Sequence, residues 1–523
     1  MFKTNSINSK IISSTITVCT MLFLSSCATK IQPLTEDEIK NLVQQDSEFI
    51  KANRITVDKP ITIYDAMAMA LVNNLDYRVQ LLEQAVSQGQ FDVAKFNMYP
   101  KISATVGASH RNPARVSNSE SLATGLQSLE PSTSEDRDRT YGDLSFSWNV
   151  IDFGVSYYQA KQEADKVLIA KELRRKALQG LLVRVREAYW KAAASQVLTD
   201  KVDNIIVQVK AALRKAEKVE EQKLRPPLES LRFQRSLMEI LQEMKAVKDD
   251  LEKAEIELYQ LLNIPMETGY RLSYEELNFN EIPTINVGKE ELLQMALLKR
   301  PELREEIYRY RITYAETKKA LLKLLPGLEL RAAENYDSNS FLVDQFWQNV
   351  STQVTSNLVD VATYKTRINA AEVQEDLSIQ KRMALQLAIL SQVHLSYKDY
   401  TNSMENLDQA RKVSDIDEQI RRLVEISARN EVEIELERIK TAAAAISTKL
   451  QEFQAYASFQ NSFGRLLFSI GYDVVDIDGE YHNIYLLSDH FKDQFAMLEA
   501  RTLASVIDNI DGTPRKADVN GIY

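Results

Sequence analysis

The 523-residue chain contains only two cysteines, fourteen glycines, twelve prolines and four histidines. Each scarcity excludes something. Cys19 lies in an N-terminal apolar run that reads as a removable leader, so the mature chain keeps only Cys27 and no internal disulfide. His110, His394, His482 and His490 are scattered, with no Cys/His cluster for a metal and no glycine-rich phosphate loop. Asp473, Asp476, Asp478 and Gly479 fail the 12-residue spacing of a calcium loop. A net charge of -10 without a Lys/Arg cluster argues against nucleic acid as a partner. The expectation is a protein that is not an enzyme and takes no cofactor. After the leader, no run reaches the ~18 to 20 apolar residues of a membrane helix, so any crossing must use strands.

What is present is charge, at 26% of residues, in stretches almost free of Gly and Pro, the composition of long helices. Lys3 and Lys10 precede the apolar run Ile11 to Leu24, which is too short for a bilayer and reads as a signal peptide, residues 1–26. It ends in Leu24-Ser25-Ser26-Cys27, which resembles a bacterial lipobox. The resemblance implies cleavage before Cys27, a diacylglyceryl group on its sulfur and a lipidated segment over 27–60. The competing reading is an ordinary signal peptidase site at Ser26-Cys27-Ala28. Ala28 stands where Asp would suggest inner-membrane retention.

One long unit occurs twice. Asn74 to Arg78 recurs 226 residues later as Arg300 to Arg304, and Tyr99-Pro100 as Leu325-Pro326. The offset then falls to 208: Asn149 to Asp152 matches Asn357 to Asp360, Val185 matches Val393, Tyr189 matches Tyr397, and Leu228-Glu229 matches Leu436-Glu437. About 18 extra residues therefore lie between Pro100 and Asn149 of the first copy, and a repeat of this length defines an architecture.

Apolar residues at three- and four-residue steps predict one helix from Thr62 to Tyr99, stopped by Pro100. The period then becomes two. Ile102, Ala104, Val106 and Ala108 alternate with Ser103, Thr105 and Gly107, predicting a strand over 101–109; a polar loop and a second strand over 141–150 follow, with Leu144, Phe146, Trp148 and Val150 on one face. A long helix over 154–222, ~100 Å at 1.5 Å per residue, breaks at Arg225-Pro226-Pro227 and returns over 228–262. The second repeat, 301–470, reads as helix, strands 327–335 and 347–358, long helix 362–428, a break near Asn430 and a return helix 432–470. Between the first repeat, 61–263, and the second lies a linker, 264–300; a tail, 471–523, ends the chain.

Strands apolar on one face and polar on the other suit a barrel with lipid outside and water inside. Four strands cannot close one, since about eight is the minimum, so the barrel must be shared among chains. The competing reading is two hairpins capping a soluble coiled-coil rod, a periplasmic structural or adaptor lipoprotein without a pore. A spacer has no reason to put Leu144, Phe146 and Trp148 on one face.

At this point the residues resemble the TolC family of bacterial outer-membrane efflux and secretion channels. Ile61-Thr62-Ile63-Tyr64-Asp65-Ala66 with Ala70-Leu71-Val72-Asn73-Asn74 is similar to the family's opening motif, and Lys299-Arg300-Pro301-Glu302-Leu303-Arg304 to its x-R-P-D-L-R. Trp148 to Gly154 stands where the family ends a strand in P-L-F-D-G-G, and Leu224 to Leu231 where it has G-L-I-S-x-L-D-V-L. The resemblance implies a mainly α fold with a small β part: a homotrimer whose twelve strands form one transmembrane barrel and whose long helical hairpins form a periplasmic tunnel. It implies a passive export duct in the outer membrane, lipid-anchored, working with a periplasmic adaptor and an inner-membrane pump. The loop after the first strand would face outside the cell, segment 264–300 and the tail would form an equatorial belt, and the breaks at Arg225, Pro226, Pro227 and Asn430 would form the periplasmic tip. The usual tip glycines are absent here.

Glu229 and Glu437 follow the two breaks at matching repeat positions, and in a trimer would ring the narrowing with carboxylates. Alternatively they are favourable first-turn acids of their helices. Trp148 and Phe153, with Tyr157 and Tyr158, are candidates for an aromatic girdle at the membrane interface or for ordinary packing at the strand-helix junction.

Overall fold

A computed structural model describes residues 33–52, 59–128, 130–222, 226–264, 269–273, 285, 287–427, 432–475 and 483–500. The chain divides into two units, Met1–Thr56 and Val57–Tyr523. The described part of the first holds helix α1 (Glu36–Ala52). Thr35 and Glu38 open it with a reciprocal capping box: Glu38 N donates to Thr35 Oγ1 at 3.3 Å and Thr35 N to Glu38 Oε2 at 2.8 Å. Its Ile39, Leu42, Val43 and Phe49 are exposed.

The second unit begins with α2 (Ile63–Asn73) and α3 (Leu75–Phe96), where periodicity predicts one helix. Asn74 makes the break. Its extended backbone donates to Ala70 O at 2.9 Å, closing α2, while its side chain accepts from Tyr77 N at 3.0 Å, opening α3. The second repeat does the same at Arg300, 226 residues on, whose N–H closes α6 (Lys289–Lys299) on Ala296 O at 3.0 Å before Pro301 starts α7 (Pro301–Leu322). Helix α6 thus lies in the segment read from sequence as a linker.

After α3 come β1 (Lys101–His110), β2 (Asp138–Asn149), α4 (Val150–Glu221) and α5 (Pro227–Leu262). After α7 come β3 (Gly327–Asp337), β4 (Phe346–Thr355), α8 (Leu358–Ser427) and α9 (Val432–Ser469), and α10 (Ile484–Ala500) lies in the tail. Asparagine starts both long helices: Asn149 Oδ1 accepts from Ile151 N and Asp152 N at 3.0 and 3.1 Å, and Asn357 Oδ1 from Val359 N at 3.1 Å.

Helices pack within this unit as one layer. Toward the strands the order is α3, α4, α7, α8; toward the turns it is α5, α4, α9, α8. The 72 residues of α4 therefore run past four shorter partners in this layer and the 70 of α8 past α7 and α9, about 108 and 105 Å at 1.5 Å per residue. A core of Leu198, Val202, Val209, Leu237, Met244 and Ile439, among others, joins α4, α5 and α9. Between the strand end and the turn end lies a belt. Leu487 and Phe491 of α10 are buried, and α10 packs on α2. Ile61 bridges Leu272, with Tyr189 Oη donating to Ile61 O and Ser273 O at 3.0 and 2.8 Å.

Candidate duct wall and tip

The four strands form one antiparallel sheet in the order β1-β2-β3-β4. Its register puts Ile102, Phe146, Ala332 and Val350 in one row, pointing one way, and Ser103, Ser145, Ala333 and Asn349 in the next row, pointing the other. The face anticipated as apolar is the open one: Val106 is 84% and Val350 82% exposed, and Phe146, Phe346 and Val354 are exposed with them. On the polar face Ser145 and Ala333 are buried, so it is the more crowded side. An unpartnered apolar face this size is unfavourable in water and favourable in lipid. Strands β1 and β4 keep free edges.

The helical layer ends the same way. Along the outer edge of α3, Leu75, Val79, Leu82, Val86, Val93 and Phe96 are exposed at heptad-like spacing, and along α8 Val373, Leu387, Leu395 and Leu423 are exposed. Both edges of the sheet and of the layer are thus left unsatisfied in one chain.

Trp148 is on the apolar face at the helix end of the sheet, opposite Leu330, and its ring meets Phe153 edge to face at 6.0 Å. Its indole N–H has no hydrogen-bond partner. Tyr157 and Tyr158 stack edge to face at 5.4 Å one helical turn on.

At the turn end, Pro226 caps α5 and Pro227 occupies its first position. Glu229 is exposed in the first turn of α5 and its N–H donates to Pro226 O at 3.1 Å. Glu437 is also exposed, but α9 starts at Val432, so the first-turn role suits Glu229 and not Glu437. Arg225, Asn430 and Cys27, with the leader and residues 501–523, lie outside the described residues. Near the second turn, Glu418 takes hydrogen bonds from Arg421 Nε at 2.8 Å and Arg422 Nε at 3.0 Å, and Arg421 also meets Glu425 at 2.5 Å. The Arg421 and Arg422 bonds outweigh burial and hold the Glu418 carboxyl down to about 2.

Sequence reading missed the buried polar belt. Arg175 Nε bonds Asp473 Oδ1 at 2.7 Å, Nη1 bonds Glu172 at 3.1 Å and Nη2 bonds Gly471 O at 2.9 Å. Burial opposes its charge, but Asp473 and Glu172 more than offset that and raise its pKa. Buried Arg300 holds Glu302 at 2.9 Å and Gln392 at 2.6 Å. Asp165, also buried, has Arg311 Nη2 at 2.8 Å but off the hydrogen-bond axis, and burial pushes its carboxyl up despite that cation. The only signal of this belt in the sequence is charge at helix positions where the apolar stripe should continue, such as Glu172 and Arg175 beside Leu178. Among the described residues, no cluster of His, Cys, Asp and Glu could hold a metal, and no helix is long and apolar enough to cross a membrane.

The wall is thus a four-stranded sheet, apolar on one face and open at both edges, that runs on into a helical layer. Residues 66–263 match the family model described as outer membrane efflux protein. No curated protein is significantly similar to the chain in sequence. Among solved structures, the Campylobacter jejuni CmeC outer membrane channel is 12% identical with a TM-score of 0.61, over 82% of this chain and 89% of that one. The open state of the Neisseria gonorrhoeae MtrE outer membrane channel is 16% identical with a TM-score of 0.59, over 78% and 89%. The outer membrane protein VceC from Vibrio cholerae is 11% identical with a TM-score of 0.54, over 78% and 96%. The fold is therefore TolC-like, mainly helical with four antiparallel strands, and shared with outer-membrane channels.

Proposed function

We propose that the chain is the outer-membrane duct of a tripartite export system, three copies closing a barrel of twelve strands and a periplasmic helical tunnel. The observation that carries this is the four-stranded sheet, apolar and exposed on one face, polar on the other, with both edges free and a helical layer running on from it. Closing the sheet on two more copies satisfies β1 and β4, and closing the layer covers the apolar stripes of α3 and α8. The duct does no chemistry. An inner-membrane transporter supplies drive and selects cargo, and a periplasmic adaptor meets the turn end at Arg225, Pro226, Pro227 and Asn430. Glu229 and Glu437 line the narrowing, Trp148 and Phe153 sit at the periplasmic membrane interface, and Cys27 carries the lipid anchor. A coiled-coil lipoprotein without a pore leaves the apolar face unexplained.

Two measurements test this. Purified protein should run as a trimer in mild detergent and give conductance in planar bilayers. Single cysteines placed in residues 111–137 of a C27S background should react with an impermeant maleimide on intact cells, while cysteines at 226–229 should not. A monomer without conductance, or labelling at the turn end alone, would sink the duct.

A further inference from the structure

Two large aromatic rings stand on the polar face of the sheet among small and charged side chains. Tyr141 shares a row with Gly107 and Asp337, and the adjacent row reads Thr105, Asp143, Asn335, Trp347. Both rings meet solvent, Tyr141 at 40% and Trp347 at 42% exposure. Glycine at 107 is what admits the tyrosine: a Cβ there would lie 2.5 Å from Tyr141 Cζ and 2.8 Å from Cε2, so the ring lies across β1. On a face that otherwise carries small, polar and charged side chains, the Trp347 indole keeps 42% of its surface open, ring area that burial in this chain does not use.

Carboxylates accompany the rings unequally. Asp337 is balanced by Arg139 at 3.5 Å, which also meets Glu135 at 3.7 Å. The row of Asp143 and Trp347 holds no cation. Two strand spacings separate them, about 10 Å at 4.7–4.9 Å each. A flat electron-rich surface and a carboxylate at that separation suit a fused-ring cation, its face on the indole and its charged edge toward Asp143.

We propose that this row is a stacking site for planar aromatic cations leaving the duct. Trp347 supplies the ring face and Asp143 the counter-charge, with Tyr141 a second ring one row nearer the mouth. The site rests on the duct reading, because only a closed barrel turns the polar face into a lumen; three copies then carry three sites on its wall.

Full-length protein in lipid nanodiscs would be titrated with propidium, a planar phenanthridinium dication that lipid takes up poorly, and followed by fluorescence anisotropy. A planar pyrenesulfonate is the charge control. Propidium should bind saturably, about tenfold more weakly to W347A, in keeping with the loss of one stacked ring. Binding to D143N should be several-fold weaker, W347F should recover to within about twofold of wild type, and pyrenesulfonate should bind far more weakly than propidium. If W347A fails to assemble, D143N and W347F carry the comparison. Wild-type affinity in W347A or D143N, or equal binding of the anionic dye, overturns the site while the trimer and its conductance leave the duct standing. Loss of both trimer and conductance in the wild type overturns the duct and the site with it.

Discussion

Replacing Gly471 by Ala should loosen the belt, and two other glycines show why. Gly471 follows α9 at φ +70°, where its N–H donates to Phe468 O at 2.9 Å and Tyr472 N to Leu467 O at 3.0 Å, the hydrogen bonds of a Schellman end. A Cβ there would stand 2.6 Å from Lys299 C and 2.8 Å from Arg300 N, both backbone atoms that cannot rotate away. The left-handed conformation costs alanine about 1 kcal/mol, and moving two chain segments adds to it, so the total is on the order of 2–4 kcal/mol. The displaced segment also carries Gly471 O and Asp473, which hold Arg175. Gly180, in the interior of α4, has nothing within 4 Å, so G180A should gain about 0.5–1 kcal/mol. Gly464 has Val183 Cγ2 at 3.3 Å, a side chain able to yield, and G464A should fall close to wild type. Thermal loss of helical circular dichroism in detergent, with hydrogen exchange at residues 299–300 and 470–473, measures all three. Faster exchange in G471A alone is expected. If G471A melts and exchanges like the wild type while G180A is destabilised, the backbone geometry assigned to the belt is wrong.

Two further substitutions address the ends of the molecule. The lowered Glu418 pKa means that its bonds to Arg421 and Arg422 stabilise above the ordinary carboxylate range and are lost as pH falls from about 4.5 toward about 2. Hydrogen exchange at the end of α8 should therefore be faster in E418Q than in wild type at pH 7, and the two should converge near pH 2; because the group is over a third exposed, screening limits the effect to about 1 kcal/mol or less. At the other end Asn339, only 4% exposed, donates to Ser134 O at 3.0 Å and accepts from Asp136 N at 3.1 Å, tying the long loop to the short one. N339A leaves both backbone groups unpaired, about 1–3 kcal/mol, and should speed protease cleavage within residues 111–137 on intact cells about tenfold; unchanged cleavage would show that the loops are held otherwise.

The repeat made the wall legible, and where it was read in one copy alone it misled. The two offsets located the strands and long helices because alternation of two and a helical period of 3.6 survive in sequence wherever one face is apolar. The break at Asn74 did not survive that way: Leu75 continues the apolar stripe, and an asparagine that caps two helices looks like one more polar position. Its counterpart is written plainly as Arg300-Pro301, so aligning the copies rather than reading each would have divided the first helix and revealed α6 in the linker as the partner of α2. The belt escaped for a different reason. Arg175 and Asp473 lie 298 residues apart, and a buried ion network has no period; only packing α4 against the segment after α9 brings them and Glu172 together. The same holds for the aromatic row. Trp347 and Asp143 come from different repeats, and each alone is an unremarkable residue in an alternating strand. Neighbours across a sheet are set by register, and here register joins the short loop of one hairpin to the long loop of the other. Local period therefore specifies the wall of this molecule, while what lines it is specified by pairings that no window of sequence contains.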